Sequence, residues 1–222
     1  GTITQSFWDI NTSGQSSSDG GEGKTTAEMK QQATYVGWDF ENVWTIEEGV
    51  GYPYLRASGP TQEVVIEIDS LSELQLVGSN WDYPMWGHYK LVADIDASDT
   101  ITWNDGAGFV PIGTEANPFV GRFDGNGHKI HRLYINRSGQ DNVGLFGYIA
   151  GEGEVLNLGI EEGWMRGKDY TGILAGYSDG IIRNCYTTGG VSGSGDIGGL
   201  VGSNYRGTIT QSYSTCSVSG SS

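Results

Sequence analysis

The sequence predicts an all-β chain folded as a parallel β-helix (a β-solenoid), with short capping helices and irregular caps. Three observations predict it. Glycine fills 37 of 222 positions and proline 5, too much glycine for a helical bundle, and no strict triplet marks collagen. The last third of the chain repeats itself at a fixed period. Each repeat holds three short β-type runs punctuated by Gly, Asn, Ser and Asp. Such a unit cannot bury an apolar face alone, whereas stacked units bury a continuous one.

The repeat is read from two sets of stretches. "DNVGLFGYI" from Asp141, "DYTGILAGY" from Asp169 and "DIGGLVGSN" from Asp196 start 28 and then 27 residues apart. "GIIRNCYTTGGVSG" from Gly180 and "GTITQSYSTCSVSG" from Gly207 are also 27 apart. Parallel stacking at about 4.8 Å per rung is expected to place Leu145, Ile173 and Leu200 in one column and Ile182 and Ile209 in another. Tyr186 and Val191 should align with Tyr213 and Val218. The repeat core also contains Gly144, Gly147, Gly172, Gly176, Gly199 and Gly202, and glycines are expected to turn the corners with positive φ.

These stretches resemble the GLUG-motif repeats of bacterial surface and adhesin-like proteins. "IGGLVGSNYRGTITQSYSTCSVSG" (197–220) is similar to a nearly complete repeat of that family, and "VGLFGYI" (143–149) and "TGILAGYS" (171–178) are looser versions. The segment from "GHYKLVADIDAS" to "FVGRFDGNGHKIHRLYINR" (87–137) resembles the opening of such an array, and "SFWDINTSG…GYPYL" (6–55) resembles its ending. The resemblance implies a right-handed parallel β-helix displayed outside the cell, at the bacterial cell surface, with no shared catalytic site. It divides the chain into 1–57, the terminal segment of a preceding array, a linker at 58–62, and 63–222, an opening segment followed by GLUG-type rungs.

An ending that precedes a beginning has a counterpart in the sequence itself. "GTITQS" occurs at 1–6 and again at 207–212. The chain reads as a window through a longer tandem array, or as a subunit whose first strand completes a neighbour. Gly1, Thr2, Ile3 and Thr4, with Gly207, Thr208 and Ile209, are therefore candidates for end-to-end assembly with copies of the same module.

The remaining elements read as structural parts. Thr25 and Glu28 form a capping box that opens a short helix to about Gln32, and "SLSELQLV" (70–77) reads as a second, packing Leu71, Leu74 and Leu76 or Val77 on the first rung. Two aromatic groups, Trp81, Tyr83, Trp86, Tyr89 and Trp103, and Trp8, Trp38, Trp44, Tyr52 and Tyr54, read as caps over open core ends; exposed rings among them could stack on surface glycans. "GGEGKTT" (20–26) imitates a phosphate-binding loop. It lacks a preceding core strand, Ser18 stands where the longer form of the motif needs glycine, and nothing supplies an acidic strand end for Mg²⁺.

Charge and chemistry narrow the function. The formal net charge of −15 disfavours nucleic acid and anionic membrane surfaces as partners, and no apolar run is long enough to insert in a membrane. Asp141, Asp169 and Asp196 each stand three residues before a motif glycine, so stacked rungs would align them as a candidate Ca²⁺ column or, in a rival reading, as the acids of a polysaccharide-active enzyme. Asp94 and Asp96 share a strand face as a second candidate cation pair, while His128 and His131, three apart, fall on opposite faces. Cys185 and Cys216 lie four residues out of register, too far for a disulfide. The expectation is a non-enzymatic structural or adhesive module without a cofactor, Ca²⁺ excepted; a carbohydrate-binding module is the remaining alternative.

Overall fold

A computed structural model describes residues 3–15, 17–18, 20–55 and 65–220. Gly1, Thr2 and the linker at 58–62 lie outside the described residues. The chain divides into two compact units, Gly1–Gln62 and Glu63–Ser222.

The second unit is a parallel β-solenoid of about six turns. One face is a sheet of six parallel strands, in spatial order Thr208–Thr210, Ile181–Arg183, Glu154–Leu156, Arg122–Asp124, His88–Leu91 and Val65–Ile68. A second face runs through Ile95–Asp96, Lys129–His131, Gly159–Arg166, Tyr186–Gly193 and Tyr213–Ser214, with Tyr134–Asn136 and Ser217–Gly220 pairing along the longer strands. The third face stacks Phe146–Ile149, Ala175–Ser178 and Val201–Asn204.

Inward side chains follow the strand register. Ile66, Tyr89, Phe123, Val155, Ile182 and Ile209 form one column on the first face. Ile95, Ile130, Ile160, Thr187 and Ser214 form another on the second. Because parallel rungs repeat at strand spacing, each apolar side chain rests on its counterpart above and below. The second column turns polar in its last two rungs, where the buried Thr187 hydroxyl donates to Gly199 O at 2.9 Å.

The corners depart from expectation. Gly144, Gly147, Gly172, Gly176, Gly199 and Gly202 are absent from the positive-φ residues, whereas Asn157, Asn184 and Gln211 turn one corner at φ 52°, 55° and 51°. Asparagine tolerates this left-handed region because its short amide bonds locally. Here the amides bond along the axis: Asn184 Nδ2 donates to Asn157 Oδ1 at 2.9 Å, and Asn157 Nδ2 to Asp124 Oδ1 at 3.0 Å. The motif glycines serve close approach instead. A Cβ on Gly176 would stand 2.5 Å from the backbone of Asn142 and Val143.

Register also corrects one column. Ala175 pairs with Val201, which sets Leu174 rather than Ile173 opposite Leu200. Gly147, Gly176 and Gly202 do fall in register, from the pairs Phe146–Ala175 and Ala175–Val201. Ile182 over Ile209, Tyr186 over Tyr213 and Val191 over Val218 stand at the expected positions.

At the start of this unit a helix, Leu71–Leu76, is capped by the Ser70 hydroxyl on Glu73 N. Leu74 and Val77 are buried and Leu76 faces out, which settles the alternative between the last two. Tyr89 is buried, and Tyr83 and Trp103 pack on the core, while Trp81 and Trp86 stay 88% and 61% exposed.

The first unit is built differently. Phe7–Asp9 pairs in parallel with Glu22–Lys24, and Trp44–Thr45 pairs antiparallel with Tyr54–Leu55. Phe7, Tyr35, Trp38 and Trp44 make a chain of ring contacts, with Trp38 and Trp44 centroids 4.3 Å apart. The Thr25–Glu28 capping box forms, but the helix ends at Met29 and a separate 3-10 turn follows at Gln32–Thr34. In the glycine-rich stretch, Lys24 Nζ bonds Glu22 Oε1 at 2.6 Å, so the lysine of the phosphate-loop look-alike is already paired.

Candidate functional site: the uncovered rung and its acidic neighbours

The last described rung carries the most exposed core of the second unit. Ile182 is fully buried and Ile209, one rung on, is 36% exposed; Val191 is 3% exposed and Val218 50%. Tyr213 stacks on Tyr186 with centroids 5.4 Å apart and planes 9° apart, and its far side is open. Ile197, Leu200, Val201 and Cys216 sit half-buried around them. Among the described residues Thr208–Thr210, Val201–Asn204, Tyr213–Ser214 and Ser217–Gly220 each pair on one side only, which makes the other side a sheet edge. Gly207, Thr208 and Ile209 thus lie at this edge.

The matching copy of the motif has the same backbone signature. Gln5 in the first unit has φ 50° and Gln211 has φ 51°. Ile3 and Thr4 are exposed there, and Ile3 borders a groove with Gln5, Phe7 and Val36. Trp38 Nε1 donates to Gln5 O at 2.8 Å, which fixes the turn from the aromatic side.

The acidic column is not a set of three carboxylates. Bridges Val143–Thr171 and Thr171–Ile197 place Asp169 opposite Asp141 but Gly195, not Asp196, opposite Asp169. The tandem glycines of "DIGGLVG" allow two alignments, and the backbone takes the one shifted by a residue. Lys168 Nζ lies 3.3 Å from Asp141 Oδ1 and 3.4 Å from Asp169 Oδ2, so one ammonium holds both. Those hydrogen bonds, Asp141 first, raise the Lys168 pKa.

The second candidate pair is also partnered. Asp94 accepts from Lys129 N and contacts His128 Nδ1, both at 3.0 Å, and Asp96 accepts from Arg132 Nη2 at 2.7 Å. Both carboxyls are held below their usual range, chiefly by backbone N–H bonds from Lys129 and Ser98. His131 instead faces Glu161 at 3.4 Å. No group of three or more His, Cys, Asp or Glu among the described residues could hold a metal ion.

Both cysteines are free thiols, in register with Ser212 and Gly189 respectively. Burial pushes the Cys185 thiol up to about 11, which makes it a core residue rather than a nucleophile. Among the described residues no helix is long and apolar enough to cross a membrane.

Comparison with known proteins gives partial likenesses. The chain is 42% identical over 164 residues to halomucin of Haloquadratum walsbyi, covering 72% of this chain and 2% of that protein. It is 37% identical over 100 residues to a putative Gly-rich membrane protein of Evansella cellulosilytica, covering 44% of this chain and 12% of that one. No family model and no solved structure matches.

Proposed function

We propose that the chain is a non-enzymatic structural module of a large cell-surface protein, joined end to end with further copies of itself. The observation that carries this reading is the one-sided rung at 201–220 together with a second copy of its strand motif at 1–6. In the joint, Ile3 of the following copy lies beneath Ile209, Thr4 beneath Thr210, and Gln5 extends the corner column of Asn157, Asn184 and Gln211. Ile209, 36% exposed, would gain only a third of the roughly 1.5–3 kcal/mol that full burial of such a side chain brings, and the strand edges would gain partners. The following copy belongs either to the same polypeptide or to a separate subunit.

Three further points support the reading. Both similar proteins are far longer than this chain, which spans a small fraction of each, and one is named a membrane protein. The GLUG-type rungs favour an extracellular surface. Of the carboxylates that the polysaccharide-cleaving reading would use, Asp141 and Asp169 are paired with Lys168, and Asp196 is out of their column. A Ca²⁺ role for Asp141 and Asp169 would have to displace Lys168.

Sedimentation of the purified chain tests the joint. Rod-like oligomers that grow with concentration and vanish in Ile209→Lys support it. A strictly monomeric chain at every concentration would count against assembly in trans and leave a covalent array, which the intact mass of the native protein then identifies.

A further inference from the structure

The outward face of the second sheet carries an aromatic ladder that stops one rung short. Tyr134 pairs in register with Trp164, and Trp164 with Gly190. The first two rings stack with centroids 5.0 Å apart and planes 10° apart. At the third position there is no side chain. The Cβ that a residue would carry at Gly190 has a single atom within 4 Å, Trp164 Cδ1 at 3.7 Å. One face of the Trp164 ring is therefore covered by Tyr134 and the other looks onto an empty place one rung deep, and Trp164 is 40% exposed.

Trp164 also lines a groove of about 420 Å³ that opens further along the same strands, with Arg166, Ser138, Ser192, Ser194 and Ser219 among its walls. Arg166 is exposed and takes part in none of the ion pairs among the described residues. The groove thus offers a flat apolar ring face, a fork of free donors and several hydroxyls. This is the chemistry that recognises a pyranose: its axial C–H face packs on the ring, and its equatorial hydroxyls meet the guanidinium and serines.

We infer that this groove and the gap at Gly190, which meet at Trp164, form a binding subsite for a neutral glycan of equatorially substituted hexopyranose units, with one sugar ring taking the missing third place in the Tyr134–Trp164 ladder. The net charge of −15 repels acidic glycans and favours a neutral one. The site lies wholly in the second unit and does not depend on end-to-end assembly.

The test uses the intact chain with cellotetraose, chitotetraose and trigalacturonate, followed by titration calorimetry and saturation-transfer NMR. At least one of the two neutral probes is expected to bind, with transfer strongest to axial C–H protons. Trp164→Ala should weaken it about tenfold, the loss of one stacking contact. Gly190→Tyr supplies the third ring from the protein itself. Gly190 has no positive φ, so this variant should fold, melt no lower than the parent and lose binding. Neither neutral probe binding at millimolar concentration would overturn the inference. So would unchanged affinity in Gly190→Tyr, or trigalacturonate binding more tightly than both neutral probes.

Discussion

Two rungs of this protein share 7 of 14 aligned residues and have opposite surroundings. "GIIRNCYTTGGVSG" at 180–193 lies between neighbours, and "GTITQSYSTCSVSG" at 207–220 has a neighbour on one side. Their backbones follow the same path, with Asn184 and Gln211 at matching left-handed corners. What differs is cover: Ile182 and Val191 are sealed, Ile209 and Val218 are not. In a solenoid the backbone of a rung is set by the rung it rests on, while the energy of its core is set by both neighbours. Equivalent strands can therefore be interior in one place and interface in another.

Truncating the paired isoleucines should give the largest contrast. Ile182→Ala opens a cavity in a sealed column and should cost about 3 kcal/mol in urea unfolding. Ile209→Ala, in the dilute chain, should cost below about 1 kcal/mol because its side chain is already partly solvated. Equal losses in the two variants would mean that the last rung is covered in solution. A gap that closes as concentration rises would locate the cover in a second copy.

A smaller effect separates the same rungs through their tyrosines. Tyr186 donates its hydroxyl to Glu161 Oε1 at 2.6 Å, and Glu161 also accepts from Lys129 Nζ at 2.8 Å. The lysine first and the tyrosine second hold the Glu161 carboxyl below its usual value. A carboxyl depressed in the folded state stabilises the fold above the unfolded value of about 4.3, and that contribution is lost as pH falls through the folded one. Glu161→Gln should therefore lower the melting temperature at pH 7, by an amount equivalent to about 1 kcal/mol, and by less as pH falls through the folded value of the carboxyl. An equal loss across that range would assign the effect to packing instead.

The parts of this fold legible in sequence are those that repeat at fixed spacing. Ile182 and Ile209, Tyr186 and Tyr213, and Val191 and Val218 each occupy equivalent places because 27 residues return the chain to the same point. The Thr25–Glu28 capping box was legible because it is local. Three things were not. One corner fell to Asn157, Asn184 and Gln211 rather than to the motif glycines; at Asn157 and Asn184 an amide bonded to its neighbour along the axis offsets the left-handed strain, and only a three-dimensional neighbour reveals it. The shift that removes Asp196 from its column depends on which of two adjacent glycines sits under Gly172. The gap at Gly190 beneath Trp164 is a missing side chain, and single-rung comparison does not register what is missing.

If residues 3–5 of a following copy continue the ladder at 209–211, their register is fixed. Thr4 and Thr210 would be adjacent in a parallel pair, with Cα atoms about 4.8 Å apart, within reach of a disulfide. The measurement is oxidation of the Thr4→Cys/Thr210→Cys double variant, in a Cys216→Ser background, followed by denaturing non-reducing electrophoresis. The expected result is a ladder of linear oligomers, absent from either single variant and collapsed by reductant. Monomers alone, or the same bands from Thr210→Cys by itself, would contradict it.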